Sequence, residues 1–419
     1  MRKILLAFAA AFIVAQAAPL YAAEQLTLEE CIKTALVQHP DLAQAEASYN
    51  SQKATISQKA ASGRLQGSLG ASYTRGNGSF MDDNGDYGSS VALTQSVYDG
   101  GKRRLDVAGA RLNTSAASSD YFEARNTVIA NVSMAYYGLN RSMREHDVAK
   151  LRYDNYQKRL NWARSYYEVG TKPKIEVTKA ESDLANSKLT LVKAETSAAQ
   201  MRAELAATMG EPLRQVDSIK DMLGFTEWDI TAEEAVKRAI ANKPELAAQQ
   251  KRVDYAKTNL DLQKRGLSPT VNASAGYNTN GVSFFEADGW NAKLSLNIPV
   301  LDGGATKSKV LGAEADLRAA EAKMSSLGNS VMLSVRKAWE ALRQAKEALG
   351  ASQEAERQAK ATYDLAEGRY KAGVGNSLEI SDAVESYAAA QSNTVLSLYN
   401  CKTARVDLEK AMGGANNAK

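Results

Sequence analysis

Apolar and polar residues alternate along four short segments of the chain, the pattern of β-strands with one apolar face. In the first segment, from Leu65 to Thr74, the odd positions are largely apolar and the even positions are polar or glycine. The four strands are predicted at about 64–75, 88–98, 268–279 and 289–300, with Gln95 interrupting the apolar side of the second. Each segment has about ten residues, the length of a strand that crosses a membrane obliquely.

Long helices are predicted to follow each strand pair, at about 102–168 and 174–209, then at about 305–370 and 377–412. These segments contain no proline and are rich in alanine, glutamate, lysine, arginine and leucine, which favour helix. At 1.5 Å per residue the longest helices would measure roughly 100 Å. In the second helix of each pair, small and apolar residues recur every seven positions, which indicates coiled-coil packing.

The same order of elements occurs twice, at an offset of 203 or 204 residues. A helix start of the form Thr-x-Glu-Glu begins at Thr27 and again at Thr231. Each strand pair ends in Asp-Gly-Gly, where the glycines permit a sharp turn and the aspartate can cap the next helix. These six residues form the predicted junction between strands and helices: Asp99, Gly100, Gly101, Asp302, Gly303 and Gly304. The chain is therefore predicted to contain two structural repeats, 23–220 and 228–414.

The first residues have the pattern of a signal peptide. Arg2 and Lys3 precede an apolar run of twelve residues, which is too short to span a bilayer, and small residues follow it. We expect the segment 1–22 to be removed from an exported protein. Its loss would lower the formal net charge from +4 to +2, a balance that gives no electrostatic case for binding nucleic acid.

Histidine and cysteine are scarce, with two residues of each type: His39, His146, Cys31 and Cys401. A zinc site or a Cys–His nucleophile requires a cluster of such residues, so no metal, cofactor or enzymatic activity is predicted. In an exported protein Cys31 and Cys401 could be joined by a disulfide. Burial of each as a small apolar side chain explains them equally well.

Four strands are too few to close a barrel. An open edge in lipid leaves unpaired N–H and C=O groups, which cost several kcal/mol each. Two chains would supply eight strands around an interior filled by side chains, whereas three would supply twelve strands and room for a lumen. The alternative is a pair of soluble hairpins that pack their apolar faces together.

With these motifs in this order, the chain resembles the TolC family of outer-membrane efflux channels. The resemblance rests on the duplicated helix starts, the strand ends SVYDGG and PVLDGG, and the turns at 167–171 and 369–373. It implies a mixed fold: a long α-helical coiled-coil barrel continuous with a transmembrane β-barrel built from four strands per chain. The implied assembly is a homotrimer in outer-membrane lipid, extending into the periplasm.

The resemblance also implies a function. The channel would be the exit duct of a tripartite efflux pump or a type I secretion system, with no enzymatic activity. Its partners would be a periplasmic adaptor and an inner-membrane transporter. A periplasmic coiled-coil scaffold or adaptor without a pore is the alternative interpretation of the helices.

In the family, the periplasmic entrance lies at the two helical turns. The six residues that match the adaptor-docking turns are Val169, Gly170, Thr171, Ala372, Gly373 and Val374. The second turn departs from the usual Val-Gly-Thr. An arginine that can pair across the closed entrance in the family would fall at Gly375, and Lys172 holds the equivalent place in the first repeat.

The resemblance assigns four residues to the gate. Glu379 and Asp382 match the family's acidic residues at the entrance, and three copies would form two rings of negative charge that favour cations. Glu176 occupies the matching acidic position in the first repeat, and Tyr370 matches an aromatic residue that helps to hold the closed state.

Each of the two ring carboxylates also has a simpler explanation. The Glu379 carboxylate could interact favourably with the N-terminal end of the dipole of a helix capped by Ser377. Asp382 could pair with Lys179, within one subunit or between subunits.

Overall fold

The computed structural model of the chain describes residues 25–75, 85–225, 227–283 and 286–414. The predicted signal peptide lies outside these residues. The helices are α1 (Leu28–Gln38), α2 (Pro40–Ala61), α3 (Lys102–Glu168), α4 (Lys174–Thr208), α5 (Ala232–Asn242), α6 (Pro244–Lys264), α7 (Ala305–Lys371) and α8 (Ser377–Ala411). The strands are β1 (Gln66–Thr74), β2 (Asp86–Tyr98), β3 (Thr270–Gly281) and β4 (Ala287–Asn297).

The start of each repeat is defined by local hydrogen bonds. Thr27 and Glu30 form a capping box: the N–H of Glu30 donates to the Thr27 hydroxyl, and the Glu30 carboxylate accepts from the Thr27 N–H at 2.8 Å. Thr231 caps α5 with its hydroxyl. Pro40 and Pro244 open α2 and α6, where a missing N–H costs nothing.

The four strands form one antiparallel sheet in the order β1-β2-β3-β4. Cross-strand pairing places Leu69, Val91, Tyr277 and Trp290 in one row, so the apolar positions of all four strands share a face. We call this the apolar face of the sheet. Much of it is exposed, with Leu69 at 84%. Among the residues that the structure describes, β1 and β4 each have one unpaired edge.

The strand ends differ from the sequence prediction by up to three residues. β2 begins at Asp86, which pairs with Thr74 of β1, and its pairing with β3 begins one residue later at Tyr87. β4 ends at Asn297 and not near 300, since Pro299 cannot donate to a ladder. A bulge between Ser96 and Tyr98 ends the regular pairing of β2 with β3.

The two longest helices, α3 and α7, have 67 residues each and extend away from the sheet as rods of about 100 Å. At the sheet end α2 packs on α3, and α6 packs between α3 and α7. At the far end α4 returns along α3, and α8 returns along α7 while also touching α3. The two repeats therefore lie side by side and share one helical layer.

Of the two explanations left open for Cys31 and Cys401, the structure favours burial over a disulfide. Both thiols are free and buried. Cys31 lies in one apolar cluster with Leu205, and Cys401 lies in a second cluster with Leu408. Burial raises the pKa of the Cys31 thiol to about 11. Each cysteine thus serves as a small apolar side chain in the core of its own repeat.

No helix in the described ranges has an apolar stretch long enough to cross a membrane. Within the same ranges, histidine, cysteine and acidic residues do not gather in any group of three that could hold a metal ion.

Candidate functional site

The far ends of the rods are two helical turns of the same construction. In the first, Gly170 has a φ of +73° and donates its N–H to the carbonyl of Tyr167 at 3.0 Å. In the second, Gly373 has a φ of +77° and donates to the carbonyl of Tyr370 at 3.0 Å. Only glycine adopts this left-handed conformation without strain. The motifs at 169–171 and 372–374 therefore form matching tips, at which Val169 and Val374 are exposed.

Two side chains of the first repeat hold these two tips together through hydrogen bonds. The ammonium group of Lys172 donates to the carbonyl of Gly375 at 3.3 Å. The hydroxyl of Tyr166 lies 3.1 Å from the carbonyl of Tyr370 and 3.0 Å from that of Lys371. We call these contacts the tip tie. It connects the α3–α4 hairpin to the α7–α8 hairpin through side chains of the first repeat and backbone of the second.

The glycine at position 375, where the resemblance led us to expect an arginine, has a steric cause in this chain. A Cβ atom added to Gly375 would lie 2.8 Å from the backbone nitrogen of Tyr370 and 3.0 Å from the carbonyl carbon of Arg369. Real side chains do not approach backbone so closely. The turn therefore excludes an arginine here, and Lys172 bonds to the Gly375 carbonyl instead.

The two predicted ring carboxylates both lie on the surface of α8, in different surroundings. Glu379 pairs with Arg369 across the second tip, with 3.0 Å between Nε and Oε1. Asp382 is exposed, and no ion pair joins it to Lys179 within the described part of this chain. A pair between Asp382 and Lys179 of another copy stays a prediction.

The cap of α8 differs from the sequence prediction. The side chain of Asn376 accepts from the N–H groups of Leu378 and Glu379, so Asn376 and not Ser377 is the N-cap. Ser377 is buried as the first helical residue. The start of the helix is satisfied without the Glu379 side chain, which leaves that carboxylate for Arg369.

Tyr370 and Glu176, the other two predicted gate residues, lie together between the hairpins. Tyr370 is 1% exposed, and its ring packs against Trp162 and Tyr166. Burial, and secondly the charge of Glu176, raise the pKa of the Tyr370 hydroxyl. That hydroxyl and Oε2 of Glu176 are both buried without a hydrogen-bond partner in the described structure. The Tyr370 ring, more than its hydroxyl, holds this position.

A buried arginine lies beside this pair. Arg159 is 1% exposed, and its Nη1 donates to Asp183 at 2.8 Å. Its Nε and Nη2 have no partner among the described residues. A buried charge without its counterion costs several kcal/mol. The Asp183 carboxylate therefore offsets the cost of burying the Arg159 charge between α3 and α4.

One carboxylate joins the two repeats behind the tips. Glu385 of α8 accepts from Nη2 of Arg152 at 2.6 Å and from the hydroxyl of Tyr156, both on α3. Burial first, and then the Glu385 carboxylate, raise the pKa of Tyr156. We call this set the Glu385 lock, and it ties α8 of the second repeat to α3 of the first.

Sequence reasoning missed the Glu385 lock and the Arg159–Asp183 pair. The one available signal was the spacing of Arg152, Tyr156 and Arg159, which places three polar side chains on one face of α3. The partners on α4 and α8 lie 24 and more than 200 residues away, and no local pattern identifies them.

The predicted strand-to-helix junction has the expected hydrogen bonds in both repeats. The carboxylate of Asp99 accepts from the N–H groups of Gly101 and Arg103, and that of Asp302 accepts from Gly304 and Thr306. The four glycines of the motifs all have a positive φ. The backbone therefore turns from strand into rod at each Asp-Gly-Gly.

Comparison with known proteins identifies the family. The model of the outer membrane efflux protein family matches this chain twice, at residues 31–211 and 235–414. The chain belongs to the outer membrane efflux protein family. The two matches coincide with the two repeats, and they contain the strand pairs, the rods and both tips.

Several curated relatives are described as outer membrane parts of export systems. The chain is 25% identical over 322 residues to the toluene efflux pump outer membrane protein TtgF of Pseudomonas putida. That match covers 71% of this chain and 65% of TtgF, so the chain spans less than two thirds of the length of that relative. It is 22% identical over 370 residues to the outer membrane protein TolC of Escherichia coli, covering 83% of this chain and 74% of TolC.

Solved structures show the same fold. The outer membrane channel CmeC of Campylobacter jejuni aligns with a TM-score of 0.79 at 17% identity, covering 92% of this chain and 85% of CmeC. The outer membrane protein VceC of Vibrio cholerae aligns with a TM-score of 0.77 at 19% identity, covering 93% of this chain and 96% of VceC. The predicted family and fold class are thus confirmed for this outer membrane efflux protein.

Proposed function

We propose that this outer membrane efflux protein is the exit duct of a tripartite efflux pump or a type I secretion system, and that it is a passive channel with no enzymatic activity. One observation carries the proposal. Both repeats match the efflux family, and each carries an exposed strand pair that leads directly into a rod of about 100 Å. Such a chain can line a continuous path from a membrane into the periplasm.

Three copies of the chain would complete the duct. The unpaired edges of β1 and β4 would pair between copies, giving twelve strands around a lumen. The second junction supports this arrangement. In the first repeat, a Cβ on Gly100 would lie 2.3 Å from Cβ of Ser268, whereas no described atom lies within 4 Å of a Cβ on Gly303. The space beside Gly303 would be filled by the next copy.

The location and function can be tested together. We expect heat-stable trimers in the outer-membrane fraction and discrete conductance steps when the purified protein is added to a planar lipid bilayer. A soluble monomer that gives no conductance would contradict the proposal and favour a scaffold or adaptor without a pore.

The substrate classes of such ducts differ, as the names of the relatives show. TtgF is described as part of a toluene efflux pump, and OpmQ of Pseudomonas aeruginosa as a pyoverdine export protein. For this chain we propose export of substrates delivered by an inner-membrane transporter through a periplasmic adaptor. Copurification of the transporter after crosslinking in cells would identify the substrate class.

The tips are the proposed docking site for the adaptor. Val169 and Val374 are exposed on hydrogen-bonded turns, which offers two apolar contacts per chain. Photocrosslinkers placed at Val169 and Val374, which are exposed beside the two turn glycines, should capture the adaptor in cells. Capture at neither position, with capture at a control position on the rods, would contradict this site.

The gate is the proposed source of ion selectivity. In a trimer, Glu379 and Asp382 would form two acidic rings, although Arg369 offsets part of the charge of Glu379. The variant E379Q/D382N should lose cation preference in planar-bilayer recordings. The matched control is E29Q/E233Q, which removes two exposed acids from α1 and α5. Unchanged selectivity in E379Q/D382N would rule the rings out.

A further inference from the structure

Positive charge is concentrated where the strands meet the rods. The four segments 53–66, 97–111, 257–270 and 297–310 contain twelve lysines and arginines but only four acidic residues, although the whole chain has 52 basic and 48 acidic residues. The twelve are Lys53, Lys59, Arg64, Lys102, Arg103, Arg104, Arg111, Lys257, Lys264, Arg265, Lys307 and Lys309. We call this set the junction belt.

The acidic residues of these segments leave most of the belt unneutralised. Asp99 and Asp302 accept hydrogen bonds from backbone N–H groups at the helix starts. Asp106 lies 3.9 Å from Lys59, and Asp261 lies 3.8 Å from Lys264. No described carboxylate lies within salt-bridge distance of the guanidinium groups of the three arginines at the start of α3: Arg103, Arg104 and Arg111.

These three arginines line an open groove of about 520 Å³ between the end of α2 and the start of α3. At its upper end the groove is lined by Val97 and Tyr98, the last residues of β2. Tyr98 pairs with Val271, which pairs in turn with Leu296 in an apolar row of the sheet. The groove is therefore continuous with the apolar face.

This arrangement matches a ligand that has an anionic headgroup and an apolar tail. If the apolar face contacts acyl chains, as the proposed function requires, the groove lies at the level of the headgroups on the periplasmic side. Arginine binds phosphate through two parallel N–H donors, and basic pockets at this depth bind anionic headgroups. Val97 and Tyr98 would contact the glycerol and upper acyl region, while Arg104 and Arg111 reach the phosphate.

We propose that the junction belt binds the phosphate headgroups of anionic phospholipids in the inner leaflet of the outer membrane. The proposal rests on the proposed function, since it needs the sheet to lie in that membrane. Three copies would place a ring of such sites around the duct. The bound lipids would fix the depth of the protein, because the arginines meet the headgroups where the apolar face ends.

The test compares two variants with the same change of charge. R104Q/R111Q removes two exposed arginines of the groove that have no partner among the described residues. The control K188Q/K193Q removes two exposed lysines of α4, far along the rods. Each full-length protein is inserted into nanodiscs of equal parts phosphatidylcholine and phosphatidylglycerol and then extracted gently. The lipids that stay bound are counted by native mass spectrometry.

We expect the unchanged protein and the control to retain phosphatidylglycerol preferentially. In R104Q/R111Q the ratio of retained phosphatidylglycerol to phosphatidylcholine should fall roughly tenfold or more, because each basic residue near an anionic surface contributes about 1 kcal/mol. High salt should reduce the preference in the unchanged protein, since the groove is open to solvent.

The possible failures are distinct. If no form of the protein enters nanodiscs, the proposed function fails and this inference fails with it. If all forms insert but R104Q/R111Q keeps the same lipid ratio, only the lipid site is overturned. If R104Q/R111Q loses binding to purified peptidoglycan while its lipid ratio is unchanged, the partner of the belt is peptidoglycan and the proposal is wrong.

Discussion

Replacing Glu385 by glutamine should favour the open entrance. In the structure the Glu385 carboxylate accepts from Arg152 and from Tyr156, and so ties the α7–α8 hairpin to α3. Any widening that separates the two hairpins must break these bonds. Glutamine has the same shape and keeps an acceptor for Tyr156, but it removes the charge that attracts Arg152.

The size of the effect follows from the burial of the partners. A hydrogen bond to a charged group contributes about 1.5–3 kcal/mol when it is shielded from water. The Glu385 side chain is 46% exposed, which screens the charge and reduces the expected loss to about 1 kcal/mol per chain. In a trimer that opens as a unit the loss would be about 3 kcal/mol, or roughly a hundredfold in the ratio of open to closed entrances.

The assay is single-channel recording in planar bilayers, with the fraction of time in the high-conductance state as the readout. The matched control is E181Q. Glu181 pairs with Arg164 at 2.9 Å at nearly the same distance from its own tip, but this pair connects α3 to α4 within one hairpin. The control makes the same change of charge without loosening the contact between hairpins, and its open fraction should not change.

Two results would contradict this prediction. If E385Q opens no more often than the unchanged protein, the Glu385 lock does not hold the entrance. If E181Q opens as often as E385Q, the cause is the loss of a negative charge and not the loss of a contact between the hairpins.

Three further outcomes are expected. Y370F should change the free energy of unfolding by less than about 1 kcal/mol, because the hydroxyl that it removes has no hydrogen-bond partner in the described structure. Y370A removes the buried ring and should lower the free energy of unfolding by about 3–5 kcal/mol. Denaturant titration of both variants measures the difference. G375R should distort the second tip, because its Cβ would overlap the backbone of Tyr370, and adaptor crosslinking at the tip should fall; normal crosslinking would contradict the steric argument. Cys31 and Cys401 should give two titratable thiols after denaturation without reductant, and Cys31 should resist alkylation at pH 8 in the folded protein. Burial raises the pKa of Cys31 from 9.0 to about 11. The contribution of its neutral thiol to stability is therefore complete below about pH 9 and declines as the pH rises toward 11.

The parts of the fold that were predictable are those encoded within a few residues. The helix start at Thr27 and the Asp-Gly-Gly turn at Asp99 each act through neighbours in sequence, and each has the expected local structure. The duplication made the two structural repeats easier to predict, because a weak motif found twice at one offset is stronger evidence than a single copy. A local choice between neighbouring caps was still missed, since Asn376 and Ser377 are both good N-cap residues and only the backbone distinguishes them.

The contacts within the site were less predictable. Glu379, Asp382, Tyr370 and Glu176 were named from resemblance, and their proposed roles in a gate stay predictions. The tip tie through Lys172 depends on how two hairpins far apart in sequence meet, which no periodicity reports. Sequence could show that an arginine was missing, but the three-dimensional turn was needed to show why it cannot fit.

The Glu385 lock has a consequence for the symmetry of the duct. One repeat offset of 203 residues relates Arg152 and Tyr156 to Ala355 and Ala359, and it relates Glu385 to Ser182. The contact between α3 and α8 inside a chain is therefore bonded by charge, whereas the equivalent contact between α7 and the next copy's α4 would have alanine and serine at the three positions that match the lock. A ring of three chains would alternate three charge-bonded contacts, one inside each chain, with three weaker contacts between chains. Its mouth would begin to widen at the three borders between subunits, and full opening would then require the three Glu385 locks to break.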